Sequence, residues 1–150
     1  MSRIANRLAD LGIVLPNVPV PHANYVPAKQ VGNLVYTAGQ PSYGYNGKLG
    51  VDLDEETGKA ATRVCAMNCL AAIRGLIGDL DRVTQVVAVH GLMNSAPDFT
   101  GQASAMNGAS DFVVEVFGEP GKHVRTAVGV AGLPMAFAAS VYMIVEVEGS

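Results

Sequence analysis

The chain has 150 residues, room for one domain with a proper core, and a formal net charge of −3. With no tryptophan, no basic cluster and a sequence pI of about 5.5, it lacks the electrostatic footprint of a nucleic-acid binder. Hydrophobic residues reach 49% and charged residues only 15%, more apolar surface than a monomer of this size readily hides, so an obligate oligomer is expected.

No apolar run approaches the ~18 residues of a membrane span. Residues 1–24 lack the basic start and long apolar centre of a signal peptide. The expected setting is the cytoplasm, with no membrane partner.

Along the chain, Ile4, Leu8 and Leu11 recur at helical spacing and Gly12 supplies a stop, predicting a short helix over Ser2–Leu11. Leu15–His22 contains Pro16, Pro19 and Pro21 and should run extended over the surface. Together these form an N-terminal helical and proline-rich extension, residues 1–24, to a single domain. Tyr25–Gln30 and Asn33–Ala38 flank Gly32 as the arms of a β-hairpin. Gly39–Gly50 holds four glycines, a proline and two tyrosines, the composition of a flexible loop with aromatic tips, and such loops often edge binding sites.

The first long helix should be capped by Asp54, carry Glu55 and Glu56 in its first turn, and end at Ile77 before Gly78. Its apolar stripe reads Ala61, Val64, Cys65, Cys69, Ala72 and Leu76. The two cysteines, four apart, suit neither a disulfide framework nor a closed zinc site and read as buried small hydrophobes.

After a turn at Asp79–Arg82, Val83–Met93 has the β-branched density of a central strand. Asp98 is expected to cap a second helix reaching Phe117, with a stripe of Phe99, Ala103, Met106, Ser110, Val113 and Phe117 that Ser110 alone interrupts. Gly118–Gly121 ends it. Arg125–Ala131 and Ala139–Glu148 are the last strands. The predicted order of helix, β, β, helix, β, helix, β, β describes one mixed sheet with two long helices on one face, an α+β layer fold.

One residue stands out chemically. Arg125 has no acidic neighbour within five positions, and its planar fork of donors matches a carboxylate. It either holds an external anion or pairs with an acid distant in sequence. His123, two residues earlier, points to the same face of a strand and is either a second polar group of a site or a solvated loop histidine. His22, His90 and His123 show no ligand spacing, so neither metal nor cofactor is expected.

The ordered set Tyr25-Val26, Gly32 through Gln40, Asp81-Arg82-Val83, Asn107, and Arg125-Thr126-Ala127-Val128 followed by Leu133-Pro134 resembles the Rid family, the YjgF-like or L-PSP endoribonuclease-like proteins. The resemblance runs from Tyr25 onward. It implies a chorismate-mutase-like fold and a homotrimer with clefts between subunits. In its best understood members it also implies hydrolysis of reactive 2-imino acids to 2-keto acids. By the same resemblance Arg125 binds the substrate carboxylate, Tyr25 lines the cleft, and Asn107, Thr126 and Ala38 belong to the substrate-binding region.

The expected partner is a small-molecule carboxylate. The expected chemistry is mild, because a protonated imine is already electrophilic and needs orientation and a water that loses a proton.

The departures weigh against catalysis. Active members place a glutamate six residues after the proline of the Leu-Pro turn, where it orders the attacking water; Ser140 stands there. Tyr142 replaces a second frequent glutamate, and Ala38 and Ala127 stand where serine and cysteine are common. A serine hydroxyl holds a water but is no general base at neutral pH, removing an aid worth about 10²- to 10⁴-fold. Glu119 is a loop acid available as a substitute. A deaminase in which Arg125, Tyr25 and Ser140 act, a non-catalytic binder, and a ribonuclease, disfavoured by the charge, are the three readings.

Overall fold

The long helix between Asp54 and Gly78 is where the core is built. The computed structural model, which describes residues 2–18 and 20–149, shows α1 (Arg3–Asp10), α2 (Glu55–Ile77) and α3 (Gln102–Phe117) with six strands. These strands are β1 (Ala28–Val31), β2 (Leu34–Thr37), β3 (Gln40–Pro41), β4 (Val83–Asn94), β5 (Val124–Val130) and β6 (Ala139–Val147). The Asp54 carboxylate accepts the Thr57 N–H at 2.8 Å, and Gly78 closes the helix at φ +89°.

Of the predicted α2 stripe, Ala61, Cys65, Cys69 and Ala72 are buried, while Leu76 is exposed. Ala66, Leu70, Ala71 and Ile73 are buried as well. The face is broader than one stripe because α2 packs against both the sheet and α3. Thr62 ties the helix pair together, donating to the Ala105 carbonyl at 2.8 Å and accepting the Ala109 N–H at 3.1 Å. Gly108 lies so close to the Lys59 carbonyl that a Cβ would collide with it. By length and composition α2 could cross a membrane, yet most of it is buried inside this fold.

The expected Asp98 cap is corrected. α3 starts at Gln102 with Gly101 as its N-terminal flank and no side-chain cap. Residues 96–99 form a turn closed by Phe99 N–H to the Ala96 carbonyl at 3.0 Å. Phe99 packs over Gly50 instead of joining the helix stripe, and Asp98 therefore sits too far from the first free helix N–H groups to cap them.

The sheet runs β1-β2-β6-β4-β5, with β3 also paired to β6; β4 and β5 are parallel and the other pairings antiparallel. Gly32 turns the hairpin at φ +58°. One face is covered by α2 and α3, and its rows Val35–Val145–Val86 and Met143–Val89 are fully buried. The other face is open. It carries the registered rows Tyr36–Ile144–Ala88–Val124, Tyr142–His90–Thr126 and Ser140–Leu92–Val128, and Tyr36, Tyr142, Val124 and Val128 are all exposed.

Under the sheet, the Cys69 thiol donates to the Val141 carbonyl at 3.2 Å and receives a 3.6 Å contact from the Thr37 hydroxyl. Burial pushes the Cys65 thiol well up and Cys69 up to about 12, so both remain protonated.

The N-terminal segment is packed rather than pendant. Ser2 Oγ accepts the Ala5 N–H, the Asp81 carboxylate accepts Arg3 N–H at 2.8 Å and Ile4 N–H at 2.7 Å, and Ile4 and Leu8 enter the core. The described residues of Leu15–His22 have no regular structure, as Pro16 and Pro21 imply, and Val18 lies against Gly75; Pro19 lies outside the described residues.

Candidate functional site

Arg125 owes its position to the edge of the sheet. Its register partner is Val89, itself opposite Met143, so Arg125 shares their helix-covered face but sits on the outermost strand, where the guanidinium emerges beside α3. Asn107 Oδ1 accepts from Nη1 at 2.9 Å, Ser110 Oγ from Nη1 at 3.2 Å, and the Ala103 carbonyl from Nη2 at 3.1 Å. These three residues, at spacings of four and three along α3, form one polar stripe.

All three acceptors are neutral. Among the described residues no carboxylate lies within ion-pair distance of Arg125, so its charge is uncompensated. Among the described residues Nε–H and one N–H of Nη2 have no partner, enough for a two-point contact with one carboxylate.

His123 reaches the same stripe. Its Nδ1 lies 2.7 Å from the Gly121 carbonyl and its Nε2 2.9 Å from Ser110 Oγ. A carbonyl only accepts, so Nδ1 carries a proton, and in the neutral tautomer this leaves Nε2 as the acceptor. Ser110 then donates to His123 while accepting from Arg125.

A cavity of about 590 Å³ opens elsewhere, between the proline-rich segment, the loop after β2 and the turn before β6. Tyr25 and His22 form one wall, Tyr43, Pro134 and Phe137 others, and Ser140 part of the floor. Tyr43 and Phe137 meet edge to face with centroids 5.5 Å apart. A Cβ on Gly39 would sit 2.9 Å from Ser140 Oγ, so glycine there leaves the hydroxyl room.

The loop Gly39–Gly50 is not the loose segment its glycines predict. Residues 40–41 form β3, and Ser42 is fully buried, accepting the Ala139 N–H at 3.1 Å and donating to the Tyr45 carbonyl at 3.0 Å. Asn46 donates to the Met135 carbonyl, Gly47 N–H to the Ala136 carbonyl, and Lys48 Nζ to Asn94 Oδ1 and the Ala131 carbonyl, both at 2.7 Å. The opposing turn holds Met135 and Ala136 at φ +54° and +55°. Left-handed backbone at two non-glycine residues costs about 1–2 kcal/mol each, which these tethers offset.

Within one chain, the expected site residues fall into two groups. Arg125 and Asn107 meet at β5 and α3, while Tyr25 and Ser140 meet in the cavity, which Arg125 does not line. Ala38 adjoins the cavity through Gly39, with its N–H bound to the Pro27 carbonyl at 2.8 Å. Thr126 is exposed on the opposite face of β5 from Arg125, in register with His90. Glu119 is no substitute acid in the cavity, since it pairs with Lys122 at 3.2 Å in the turn after α3.

His22, Tyr43 and Phe137 are cavity residues that sequence reasoning did not single out. Only the aromatic tips of the loop signalled one of them. Among the described residues no three metal-donor side chains cluster.

The sequence profile described as "YjgF/chorismate mutase-like, putative endoribonuclease" matches residues 5–147. Protein TCP17 of Trypanosoma cruzi is 41% identical over 152 residues, covering 97% of this chain and 95% of that protein. The crystal structure of Atu1372 from Agrobacterium tumefaciens superposes with a TM-score of 0.89 at 38% identity, covering 97% and 92% of the two chains. A structure described as a putative endoribonuclease from Shewanella oneidensis superposes with a TM-score of 0.94 at 32% identity, over 97% and 100%.

Proposed function

The chain belongs to the YjgF/chorismate mutase-like family, and on that premise we propose that it binds a small 2-imino or 2-keto carboxylate in clefts between the subunits of a homotrimer and hydrolyses 2-imino acids to 2-keto acids and ammonia. The observation that carries this reading is the uncompensated guanidinium of Arg125, fixed by three neutral acceptors with two N–H groups to spare. A cation oriented so firmly without an acid is ready for an anion from outside.

The intersubunit placement is supported by the separation of charge from volume. Each chain offers a cationic edge at β5 and an apolar cavity that Arg125 does not line, so a complete cleft needs the edge of one copy against the cavity of another. The open sheet face, with Tyr36, Val124, Val128 and Tyr142 exposed, is the surface such an assembly covers. Contacts of well over ~1,000 Å² per pair are expected for obligate subunits. A stable monomer by light scattering at micromolar concentration would refute the assembly.

The test of the ligand is calorimetric titration of 2-oxobutyrate. Arg125→Ala should lose about 2 to 5 kcal/mol of binding, because the pair forms in a partly desolvated cleft. Arg125→Lys should recover little, lacking the fork. Equal affinities in wild type and Arg125→Ala would place the site elsewhere.

A second reading, a carboxylate binder without turnover, is favoured by Ser140 at the position of the family glutamate. Release of ammonia from 2-iminobutyrate generated in place separates the two.

A further inference from the structure

The cavity is walled by aliphatic, proline and aromatic side chains, and among the described residues no lysine, arginine, aspartate or glutamate lines it. We propose that it receives the side chain of the bound acid and selects 2-imino and 2-keto acids whose side chain is branched or aromatic, an inference that rests on the carboxylate-binding reading above for the other end of the molecule.

The polar groups of the cavity are few and partly engaged. Gln40 directs Nε2 to the Ala38 carbonyl at 3.4 Å, and Asn46 directs Nδ2 to the Met135 carbonyl at 2.9 Å. His22, the phenols of Tyr25 and Tyr43, and the Ser140 hydroxyl are the other polar side-chain groups of the lining. An acidic side chain entering here would leave water without meeting a fixed opposite charge, which is costly. An apolar one gains by leaving water.

Size points the same way. A volume of about 590 Å³ is in the range that encloses a small organic ligand, and the ethyl group of 2-oxobutyrate fills little of it. Tyr25, Tyr43 and Met135 are large, apolar and exposed around this one opening, a concentration of uncovered surface that marks a binding site.

The aromatic walls are set before a ligand arrives. Tyr43 comes from the loop after β2 and Phe137 from the turn before β6, and their rings stand at 89° to each other. Beside them the two segments are joined: Asn46 and Phe137 form an isolated antiparallel bridge, Gly47 N–H donates to the Ala136 carbonyl at 2.8 Å, and Ala138 N–H donates to the Tyr45 carbonyl at 3.0 Å. Walls fixed in this way need little ordering on binding. A third ring can add to the pair edge-on or offset.

The experiment is calorimetric titration of 2-oxobutyrate, 4-methyl-2-oxopentanoate, 2-oxo-4-phenylbutyrate and 2-oxoglutarate into wild type, Tyr43→Ala and Arg125→Ala. Indole, an aromatic ring without a carboxylate, is titrated alongside by its fluorescence, which no tryptophan in the chain obscures. Burial of each added methylene should tighten binding about fourfold. The two larger apolar acids should therefore bind about 10-fold or more tighter than 2-oxobutyrate, and 2-oxoglutarate more weakly than any. Tyr43→Ala should cut the preference for the phenyl acid about threefold or more and weaken indole. Arg125→Ala should weaken all four acids and leave indole binding in place.

Equal affinities for 2-oxobutyrate and the two larger apolar acids, with Arg125→Ala still weakening all of them, would overturn the selection and leave the carboxylate reading intact. Tight binding of 2-oxoglutarate would overturn it as well, since His22 would then be serving as a cation in the cavity. Failure of indole to bind wild type would mean that the assembled protein leaves no apolar space there. A preference that depends on Tyr43 but persists at full affinity in Arg125→Ala would keep the apolar site and remove the carboxylate reading instead.

Discussion

The two halves of the candidate site are built on opposite principles. The β5–α3 edge concentrates charge and hydrogen bonds in a few side chains from two rigid elements, and none of these side chains lines the cavity. The cavity side has about 590 Å³ but draws its walls from irregular segments tethered by backbone carbonyls. Orientation comes from regular structure and shape comes from loops, which explains why losing a single contact should do different damage on each side.

The largest effect on the cavity side is expected at Lys48. Its ammonium bridges Asn94 Oδ1 and the exposed Ala131 carbonyl, so Lys48→Met leaves the amide oxygen of the buried Asn94 without this partner and should cost about 1–3 kcal/mol of stability. If the halves are independent, guanidinium positioning survives, and denaturant unfolding with 2-oxobutyrate titration should show a stability loss with a smaller loss of affinity. A loss of affinity as large as that of Arg125→Ala would break the contrast.

Gly39→Ala sharpens it from the other direction. The added Cβ, 2.9 Å from Ser140 Oγ, narrows the floor of the cavity, and overpacking of this kind costs about 1 kcal/mol or more. Affinity for a bulkier 2-keto acid should fall more than for 2-oxobutyrate.

Asp81 is a control that touches neither half. Hydrogen bonds from the Ile4 N–H and then the Arg3 N–H hold its carboxyl below the usual carboxylate range. A depressed pKa means stability present above the unfolded value and lost as pH falls through the folded one. Proteolytic release of α1 should therefore increase in acid, below about pH 4, and Asp81→Ala should show it at neutral pH.

The smallest effect is expected at Cys65 and Cys69. With both thiols buried and raised, reagents should label them only after denaturation, and rapid labelling of the native protein would refute that burial.

The sequence announced what depends on local chemistry. Asp54 and Gly78 mark α2 to the residue because a cap and a left-handed stop are local devices, and the valines of β4 reveal a central strand. Asp98 misled because nothing nearby records that Phe99 is drawn down onto Gly50. β3 was invisible, since two residues carry no period, and most tethers of the Gly39–Gly50 loop come from residues about eighty to a hundred positions away.

Arg125 was conspicuous by its lack of acids, and Ser110 by interrupting an apolar stripe. Their meeting with His123 required the crossover of α3. The division between cationic edge and cavity was illegible, because it depends on which strand ends at the border of the sheet.

That strand order also sets a sequence of events. β4, α3 and β5 are consecutive, and the parallel β4–β5 pair closes within residues 83–130. The strand carrying the cavity floor must instead find β2 across the whole chain: Met143 N–H reaches Thr37 Oγ1 over a separation of 106 residues. Local contacts form ahead of distant ones because less loop entropy opposes them. Pulsed hydrogen exchange during refolding should protect β5 amides before those of β2, and the reverse order would contradict it. A newly made chain would then hold its anion-binding edge before it has any pocket to serve, exposing a guanidinium with nothing yet to enclose it.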